Sequence, residues 1–361
     1  MIEIITLVGA RPQFIKAAAL SRVIKTQFYD EINEKIVHTG QHYDENMSQV
    51  FFDELEIPKP HYNMHVNSSN HGEMTGRMLE IFESYLLENK ADIVLVYGDT
   101  NSTLAGMLAA VKLGIPVAHV EAGLRSYNIN MPEEINRILV DRLSSLLFCP
   151  TKQAVKNLAK EGIKNGVHRS GDVMLDVAMY YGQKAIKKSS ILNKHNLEPN
   201  DYILVTCHRA ENTDNENRLK EILSALAEMA SSTKIIFPIH PRTKKYIMQA
   251  DMMHFLKDII VVEPLAFLDM VLLEQFAEGI ITDSGGVQKE AFFYGVPCIT
   301  IRDETEWVET VESGWNRIVG ANKEKILEAI NSLDKGIENF FPYGDGTASE
   351  NIIKIIKGYS C

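Results

Sequence analysis

Short runs of apolar and β-branched residues alternate along the chain with longer stretches of helical spacing. In the first half these runs are continuous rather than alternating, as is typical of strands buried on both faces of a parallel sheet. The strands predicted there are Ile2–Val8, Lys35–Thr39, Ile93–Tyr97 and Ile115–His119. Asn101–Lys112 has the length and position of a crossover helix, so the segment from Ile93 to Val120 is predicted to form a βαβ unit.

A second series of strands and helices begins after about residue 170. Its predicted strands are Tyr202–Thr206, Lys234–Ile239, Ile259–Val262, Gly279–Thr282 and Cys298–Ile301. Two such series predict two Rossmann-like, doubly wound α/β domains, and 361 residues is a sufficient length for both. We place the first domain at 1–170 and the second at 171–344, and the last segment, Ala348–Lys357, has the apolar face of an amphipathic helix.

Composition narrows the classes of function. The chain is 45% hydrophobic and 24% charged with a net charge of −11, which argues against nucleic acid as the main partner. The first residues are typical of a strand, and no apolar run approaches the ~20 residues that span a bilayer, so we expect a cytoplasmic protein without membrane association. The cysteines suit a reducing compartment and lack metal-ligand spacing, so we expect no bound metal; they are Cys149, Cys207, Cys298 and Cys361.

Polar residues stand where doubly wound sheets bind their ligands, at the carboxyl ends of strands. Asp99 and Glu121 follow two strands of the first domain, and His208, His240 and Asp283 follow three strands of the second. We therefore expect the ligand site in a cleft between the two domains.

The first strand leads into the turn Gly9-Ala10-Arg11-Pro12-Gln13, with Lys16 one helical turn further on. A helix N-terminus offers unpaired amides and a positive dipole end, and two cations beside it suit a phosphate group. The turn lacks the G-x-G-x-x-G pattern, so a nicotinamide cofactor is not supported. A purely structural βα turn with surface cations is the alternative.

A stronger candidate anion site follows the strand that ends at Thr282. Ser284 can cap the next helix, and Gly285 and Gly286 let a diphosphate approach the backbone amides. Glu290, one turn further in, can accept hydrogen bonds from both hydroxyls of a ribose. The alternative is an N-capped helix with an exposed glutamate.

Three carboxylates are candidates for proton transfer, and two histidines are further candidate functional residues, although a lone histidine is more often structural. Asp99, Glu121 and Glu133 all lie at element ends that face the expected cleft, although acids such as Glu133 are also common in the first turn of a helix. His208 and His240 follow equivalent strands, each beside an arginine, and neither belongs to an H-x-x-x-H pattern of metal ligands.

Nine motifs in order resemble one family. They are GARPQFIKA at 9–17, TGQHYDENM at 39–47, GDTNSTLAG at 98–106, HVEAGLRS at 119–126, MPEEINR at 131–137, CHRAEN at 207–212, PIHPRT at 238–243, TDSGGVQKEA at 282–291 and PYGDGTAS at 342–349. Together they are similar to the non-hydrolysing UDP-N-acetylglucosamine 2-epimerases along nearly the whole chain. The resemblance implies a GT-B-type fold, a homodimer, and a C-terminal helix, about 345–361, that packs back on the first domain.

The resemblance also implies a reaction and residue roles. UDP is eliminated in the anti sense to leave a 2-acetamido glycal, and UDP is then added back with inversion at carbon-2, without cofactor or metal, to supply precursors of cell-surface polysaccharides. The implied catalytic residues are Asp99, Glu121, Glu133 and His208. The implied contacts to UDP and phosphate are Arg11, Lys16, Arg137, His240, Ser284, Gly285, Gly286 and Glu290. Gln41 and His42 match a second, activating substrate site of some bacterial members.

One departure from the family's motifs bears on which sugar the enzyme uses. After Arg302 the family usually reads T-E-R-P-E, whereas this chain has Trp307-Val308 between Glu306 and Glu309. This variant, with Ala10, Gln13 and Phe14 in the first turn, is more similar to the branch that acts on UDP-2,3-diacetamido-2,3-dideoxy-glucuronate. Arg302, Glu306 and Trp307 are therefore candidate determinants of sugar selectivity, with Trp307 expected against an acetamido methyl group or, alternatively, buried beneath the loop.

Three other functions share parts of this pattern. A GT-B glycosyltransferase has the same fold and UDP site but requires an acceptor. A hydrolysing epimerase releases free N-acetylmannosamine and UDP. A non-enzymatic sensor binds a UDP-sugar without turnover.

Overall fold

The apolar runs of the first half form a parallel sheet in the computed structural model, which describes residues 1–40, 56, 59–68 and 70–359. The strands are β1 (Ile2–Val8), β2 (Ile32–His38), β3 (Tyr62–Asn63), β4 (Ile93–Tyr97), β5 (Val117–Val120), β6 (Leu146–Cys149) and β7 (Val167–Arg169). The helices are α1 (Arg11–Gln27), α2 (His71–Glu88), α3 (Asn101–Lys112), α4 (Pro132–Leu143), α5 (Lys152–Lys160) and α6 (Val173–Lys188). The strand order β3-β2-β1-β4-β5-β6-β7 reverses between β1 and β4.

The second half repeats this plan. Its strands are β8 (Tyr202–Thr206), β9 (Lys234–Pro238), β10 (Ile260–Val262), β11 (Gly279–Thr282), β12 (Cys298–Thr300) and β13 (Asn316–Ile318). Its helices are α7 (Ile191–Lys194), α8 (Ala210–Thr213), α9 (Glu216–Met229), α10 (Pro241–Gln249), α11 (Phe267–Phe276), α12 (Gly285–Tyr294), α13 (Val308–Glu312) and α14 (Lys323–Asn331), with a 3₁₀ turn at Met253–Leu256. The order β10-β9-β8-β11-β12-β13 reverses between β8 and β11.

The chain divides into two units inside α6. Unit 1 is Met1–Val177 with Phe341–Cys361, and unit 2 is Ala178–Phe340. The final helix, α15 (Ala348–Tyr359), belongs to unit 1. The first turn of α15 is anchored to α6, because the carboxylate of Asp176 accepts the backbone N–H of Ser349 at 2.6 Å. Near the end of α15, Lys357 forms an ion pair with Glu31.

The prediction of an α/β chain with two doubly wound, Rossmann-like parallel sheets is confirmed. The central strands β4 and β8 are buried on both faces, as their continuous apolar runs predicted. Four strands, β3, β6, β7 and β13, were not predicted, and the predicted elements differ from the observed ones at their ends. β5, for example, begins at Val117 rather than Ile115, because Pro116 has no N–H for a strand ladder.

The reversal of strand order makes a switch point in each sheet. There the helices that follow two neighbouring strands lie on opposite faces, and a crevice opens at the carboxyl ends of those strands. In unit 1 these strands are β1 and β4, and in unit 2 they are β8 and β11. The turns after these four strands begin at Gly9, Gly98, Cys207 and Asp283, so predicted site residues such as Asp99, His208 and Ser284 follow a switch-point strand of their own unit.

Candidate active site

Gly9 and Gln13 determine the shape of the turn after β1. A Cβ atom on Gly9 would lie 2.1 Å from Thr39 Oγ1 and 2.2 Å from Ser102 Oγ, so only glycine fits there. Gln13 Oε1 accepts the N–H groups of Gly9 and Ala10 at 2.8 and 3.0 Å. Its Nε2 donates to the carbonyl of Tyr97, the last residue of β4, at 2.8 Å. Gln13 therefore joins the two turns of the unit 1 switch point.

Two cations and two carboxylates meet at this switch point. Lys16, on the first turns of α1, forms an ion pair with Glu121, which directly follows β5. Arg137, on α4, forms an ion pair with Asp99, in the turn after β4. The carbonyl of Asp99 also accepts Asn136 Nδ2 at 2.8 Å. The structure thus brings together four residues that the sequence placed in the site, each cation holding one carboxylate.

The environment of Asp99 favours its protonated form. Partial burial raises the pKa of this carboxyl group, and the nearby Glu121 carboxylate adds to the effect, while Arg137 and Lys16 oppose it. A carboxyl group with a raised pKa exchanges protons more readily near neutral pH than an ordinary aspartate does. Asp99 therefore has the electrostatic setting of a proton donor or acceptor.

The two acids at the start of α4 differ in environment. Glu134 is buried and accepts the N–H of Ser126 at 3.0 Å and of Tyr127 at 2.9 Å, as well as Arg137 Nη1 at 2.8 Å. Glu133 is exposed, and among the described residues its carboxylate has neither a hydrogen bond nor an ion pair. Glu134 is thus engaged in holding the preceding loop, whereas Glu133 is available to a ligand.

In unit 2, His208 is held by the carboxylate of Asp283. Asp283 is fully buried and accepts the backbone N–H of His208 at 3.0 Å and of Arg209 at 3.0 Å. His208 Nδ1 lies 3.3 Å from Asp283 Oδ1, an arrangement that leaves Nε2 facing away from Asp283. Burial lowers the pKa of His208, and Asp283 partly opposes this shift.

The turn after β11 has the geometry of an anion site. Ser284 Oγ caps α12 by accepting the N–H of Val287 at 3.5 Å. A Cβ atom on Gly286 would lie 3.7 Å from Ser284 Oγ and 3.9 Å from Glu290 Oε2, so these three residues share one face of the helix start. His240 caps α10 in a similar way, with Nδ1 accepting the N–H of Arg242 at 3.2 Å. Both caps leave helix N-terminal amides for an anionic ligand.

Gly285 also has a packing role. A Cβ atom there would lie 2.5 Å from Glu306 Oε1 and 3.1 Å from Trp307 Nε1, so this glycine makes room for the loop after β12. Arg302 Nη1 donates to Glu306 Oε2 at 3.0 Å. The ring of Trp307 is only 4% exposed and is covered by Lys289, whose Nζ lies 3.8 Å from the ring centroid. The indole is therefore packed within unit 2, with little surface left for a sugar methyl group.

Other sequence predictions concern a second ligand site, a bound metal and a membrane span. Gln41 and His42 lie outside the described residues. Within the described part of the chain, no three or more His, Cys, Asp or Glu side chains are grouped as a metal site would require. No helix in that part is both long and apolar enough to cross a membrane.

Comparison with known proteins gives a consistent result. Residues 25–357 match the family model described as UDP-N-acetylglucosamine 2-epimerase. The chain belongs to the UDP-N-acetylglucosamine 2-epimerase family. It is 50% identical to a UDP-N-acetylglucosamine 2-epimerase homolog of Methanococcus maripaludis, over 98% of this chain and 99% of the relative. It is 48% identical to the UDP-2,3-diacetamido-2,3-dideoxy-D-glucuronate 2-epimerase of Pseudomonas aeruginosa, over 98% and 99%.

A crystal structure of a family member agrees with the fold. The UDP-GlcNAc 2-epimerase of Methanocaldococcus jannaschii, solved with UDP-GlcNAc and UDP, has a TM-score of 0.90 and 45% identity, covering 99% of this chain and 100% of that one. The predicted membership of this 2-epimerase family is thus confirmed. Relatives that differ in their named sugar are similarly close, so identity alone does not assign the sugar.

Sequence reasoning missed two residues that organise this 2-epimerase site. His119 and Asp141 are buried polar residues that contact each other although they lie 22 positions apart in the chain. His119 interrupts the apolar run of β5, and Asp141 stands on the buried side of α4. A polar residue inside an apolar run was the only available signal, because such a residue needs a hydrogen-bonding partner.

We expect Asp283→Asn to lower the pKa of His208 further. The negative charge of Asp283 favours the protonated imidazole and so raises the pKa of His208. When that charge is removed, burial, His240 and Arg209, which all lower this pKa, are no longer opposed by Asp283. A proton NMR titration of the His208 ring measures the shift. Asp214→Asn is the matched control, because the Asp214 carboxylate binds Arg242. An unchanged His208 titration in Asp283→Asn would contradict the assigned contact.

Proposed function

We propose that this chain is a non-hydrolysing 2-epimerase, an isomerase that inverts carbon-2 of a UDP-linked 2-acetamido sugar. The observation that carries the proposal is the grouping of Lys16, Glu121, Asp99 and Arg137 at the switch point of unit 1. Family membership supports the reaction type.

The reaction explains why a site would combine cations with carboxylates. The proton on carbon-2 is not adjacent to a carbonyl group, so direct deprotonation is too difficult. Loss of UDP from carbon-1 gives the ring oxocarbenium character, and the proton on carbon-2 then becomes removable to leave a glycal. Cations and amides stabilise the leaving diphosphate, and carboxylates transfer the proton. Addition of UDP to the glycal, with protonation on the opposite face of carbon-2, completes the inversion.

We propose the following division of roles. Asp99, Glu121, Glu133 and His208 act on the sugar and the leaving oxygen. The contacts to UDP and its phosphates are Arg11, Lys16, Arg137, His240, Ser284, Gly285, Gly286 and Glu290. Because Lys16 and Arg137 are bound to Glu121 and Asp99, a diphosphate that draws on these cations also loosens their hold on both carboxylates. Substrate binding then prepares the carboxylates for proton transfer.

Proton NMR of the chain with a UDP-sugar alone tests the function. We expect the carbon-2 epimer to appear, and in heavy water we expect deuterium at carbon-2 of the product, because the elimination removes that hydrogen. Free N-acetylmannosamine would indicate a hydrolysing enzyme, and product only with an added acceptor would indicate a glycosyltransferase. Epimer without deuterium would contradict the elimination route, and no turnover at all would leave only a binding protein.

We expect turnover to continue after treatment with a chelator and without added nicotinamide. The physical reason is that elimination and re-addition of UDP transfer protons and no hydride, and that cationic side chains and backbone amides can stabilise the leaving diphosphate. The measurement is the initial rate before and after exhaustive dialysis against chelator. Loss of activity that added divalent metal restores would contradict this prediction.

We propose further that the enzyme is a cytoplasmic homodimer. Cys149, Cys207 and Cys298 are buried free thiols, which suits a reducing compartment. Ile135, Leu139 and Leu143 form an exposed apolar row at four-residue spacing on α4, which suits a surface that is covered by a second copy. Light scattering after size-exclusion chromatography tests the oligomeric state.

A further inference from the structure

A buried histidine connects the two turns that present Asp99 and Glu121. His119, on β5, has no exposed surface. Its Nδ1 lies 2.8 Å from Asp141 Oδ1, and its Nε2 lies 2.7 Å from the carbonyl oxygen of Gly98, the residue before Asp99. One imidazole ring thus joins the turn after β4, the strand β5 and the helix α4.

Both partners of this ring are hydrogen-bond acceptors. A backbone carbonyl can only accept, so Nε2 must carry a proton. The other oxygen of Asp141 accepts hydrogen bonds from Arg125 Nη1 at 2.7 Å and from the N–H of Gly123 at 3.0 Å, and both contacts favour the carboxylate form. Nδ1 must therefore also donate. A ring that donates from both nitrogens is an imidazolium, and its charge is balanced by Asp141.

The second oxygen of Asp141 holds the backbone beyond Glu121. Asp141 Oδ2 accepts the N–H of Gly123 at 3.0 Å and Arg125 Nη1 at 2.7 Å. Glu121 itself has φ +73°, a left-handed conformation that is unfavourable for a residue with a side chain. The anchoring of Gly123, two residues later, helps to keep Glu121 in this conformation.

The same contacts place the Glu121 carboxylate beside the Asp99 turn. A Cβ atom on Gly98 would lie 3.4 Å from Glu121 Oε2 and 3.7 Å from Lys16 Nζ. A shift of Gly98 or of Gly123 would therefore change the distance between the two carboxylates. The bond from His119 to Gly98 and the bond from Asp141 to Gly123 oppose these two shifts.

We propose that His119 and Asp141 form a buried charged pair that positions Asp99 and Glu121 for proton transfer. They are positioning residues, since neither is exposed to a ligand. The inference rests on the proposed function, because it assumes that Asp99 and Glu121 act on the sugar.

NMR of protein with nitrogen-15-labelled histidine tests the charge state without any substitution. We expect His119 to show protons on both ring nitrogens at the pH of the kinetic measurements, because each nitrogen faces an acceptor. His119→Asn assigns the signals by their loss. A single ring proton on His119 at this pH would overturn the proposal.

Kinetics of Asp141→Asn tests the positioning role. We expect kcat to fall by about 10- to 100-fold, since a small displacement of a catalytic group has an effect of this size, while the Kd for UDP changes less than about threefold. Glu161→Gln is the matched control, because Glu161 binds the other side of Arg125 and does not contact His119, and its kcat should stay near that of the wild type. A wild-type kcat in Asp141→Asn, or an equal loss of UDP affinity, would overturn the proposal.

The double variant His119→Asn/Asp141→Asn separates a shared role from two independent ones. If the pair acts as a unit, the kcat of the double variant should be no lower than that of the worse single variant. A loss in the double variant equal to the product of the two single losses would contradict a common role. If the wild type turns over no UDP-sugar, the proposed function fails, whereas the NMR result on His119 still decides whether the charged pair exists.

Discussion

Asp99→Asn and Glu121→Gln are each expected to lower kcat for 2-epimerisation by about 100-fold or more. This is the lower range for loss of a general acid or base and corresponds to about 3 kcal/mol of transition-state stabilisation. Asparagine and glutamine keep the shape of each side chain but cannot exchange a proton. Exchange of the carbon-2 hydrogen with solvent should slow in parallel. We expect Glu133→Gln to have a similar effect, since this carboxylate is available to a ligand.

Because of the two ion pairs, the affinity for UDP is a second, independent measurement on the same variants. Asp99→Asn removes the charge that holds Arg137, and Glu121→Gln removes the charge that holds Lys16, so either cation becomes more available to a diphosphate. We therefore expect the Kd for UDP, measured by calorimetry, to be unchanged or lower in both variants. A kcat near that of the wild type would show that the carboxylates are not catalytic. A large loss of UDP affinity would instead assign them to binding.

The matched control is Glu88→Gln. Glu88 is an exposed residue at the end of α2 and lies away from the turns of the switch point, so this variant removes an equal charge without touching the site. It should retain wild-type kcat and Kd. A parallel loss in Glu88→Gln would indicate a general effect of net charge.

The second large effect concerns the sugar. We expect kcat/KM to be higher for UDP-2,3-diacetamido-2,3-dideoxy-glucuronate than for UDP-N-acetylglucosamine, and we expect Arg209 to bind the sugar carboxylate. Three arginines that follow strands of unit 2 are candidates for this contact: Arg209, Arg242 and Arg302. Arg242 is bound to Asp214 through Nη2 at 2.7 and 2.5 Å, and Arg302 is buried against Glu306. The Arg209 guanidinium has neither a hydrogen bond nor an ion pair to any other described residue, so it is the available cation.

Arg209→Gln should lower kcat/KM for the glucuronate substrate by about 10- to 100-fold, because a hydrogen bond to a charged group contributes about 1.5–3 kcal/mol. The loss for UDP-N-acetylglucosamine, which has no carboxylate on its sugar, should be clearly smaller. Arg242→Gln is the matched control, since it removes the same charge from an arginine that is already paired. A competition assay with both UDP-sugars measures all three proteins.

The outcomes of this assay separate two statements. A wild-type preference for UDP-N-acetylglucosamine would refute the sugar assignment and leave the epimerase proposal intact. Equal losses for both substrates in Arg209→Gln would assign Arg209 to the UDP moiety. Trp307 is buried and Lys289 covers its ring, so the indole has little surface for contact with a sugar. The arginines are therefore the better candidates for recognition of the sugar.

The sequence by itself was sufficient to predict the two parallel sheets and the turns on which the candidate site residues lie. Periodicity and length are local properties, so runs such as Ile93–Tyr97 and Asn101–Lys112 identify their elements without knowledge of the rest of the chain. The carboxyl ends of parallel strands share one edge, so Asp99 and Glu121 were expected to be neighbours before any coordinates. The strands β3, β6, β7 and β13 were not predicted, because runs of two to four residues give only a weak periodic signal.

Only the tertiary structure decided which polar groups are paired. Glu133 and Glu134 are adjacent in sequence and alike in chemistry, yet one is exposed and the other is buried beneath the loop at Ser126. Arg209 and Arg302 likewise differ only in what surrounds them. Pairing and burial depend on side chains that are distant along the chain, as His119 and Asp141 are, and a local pattern contains no information about such partners.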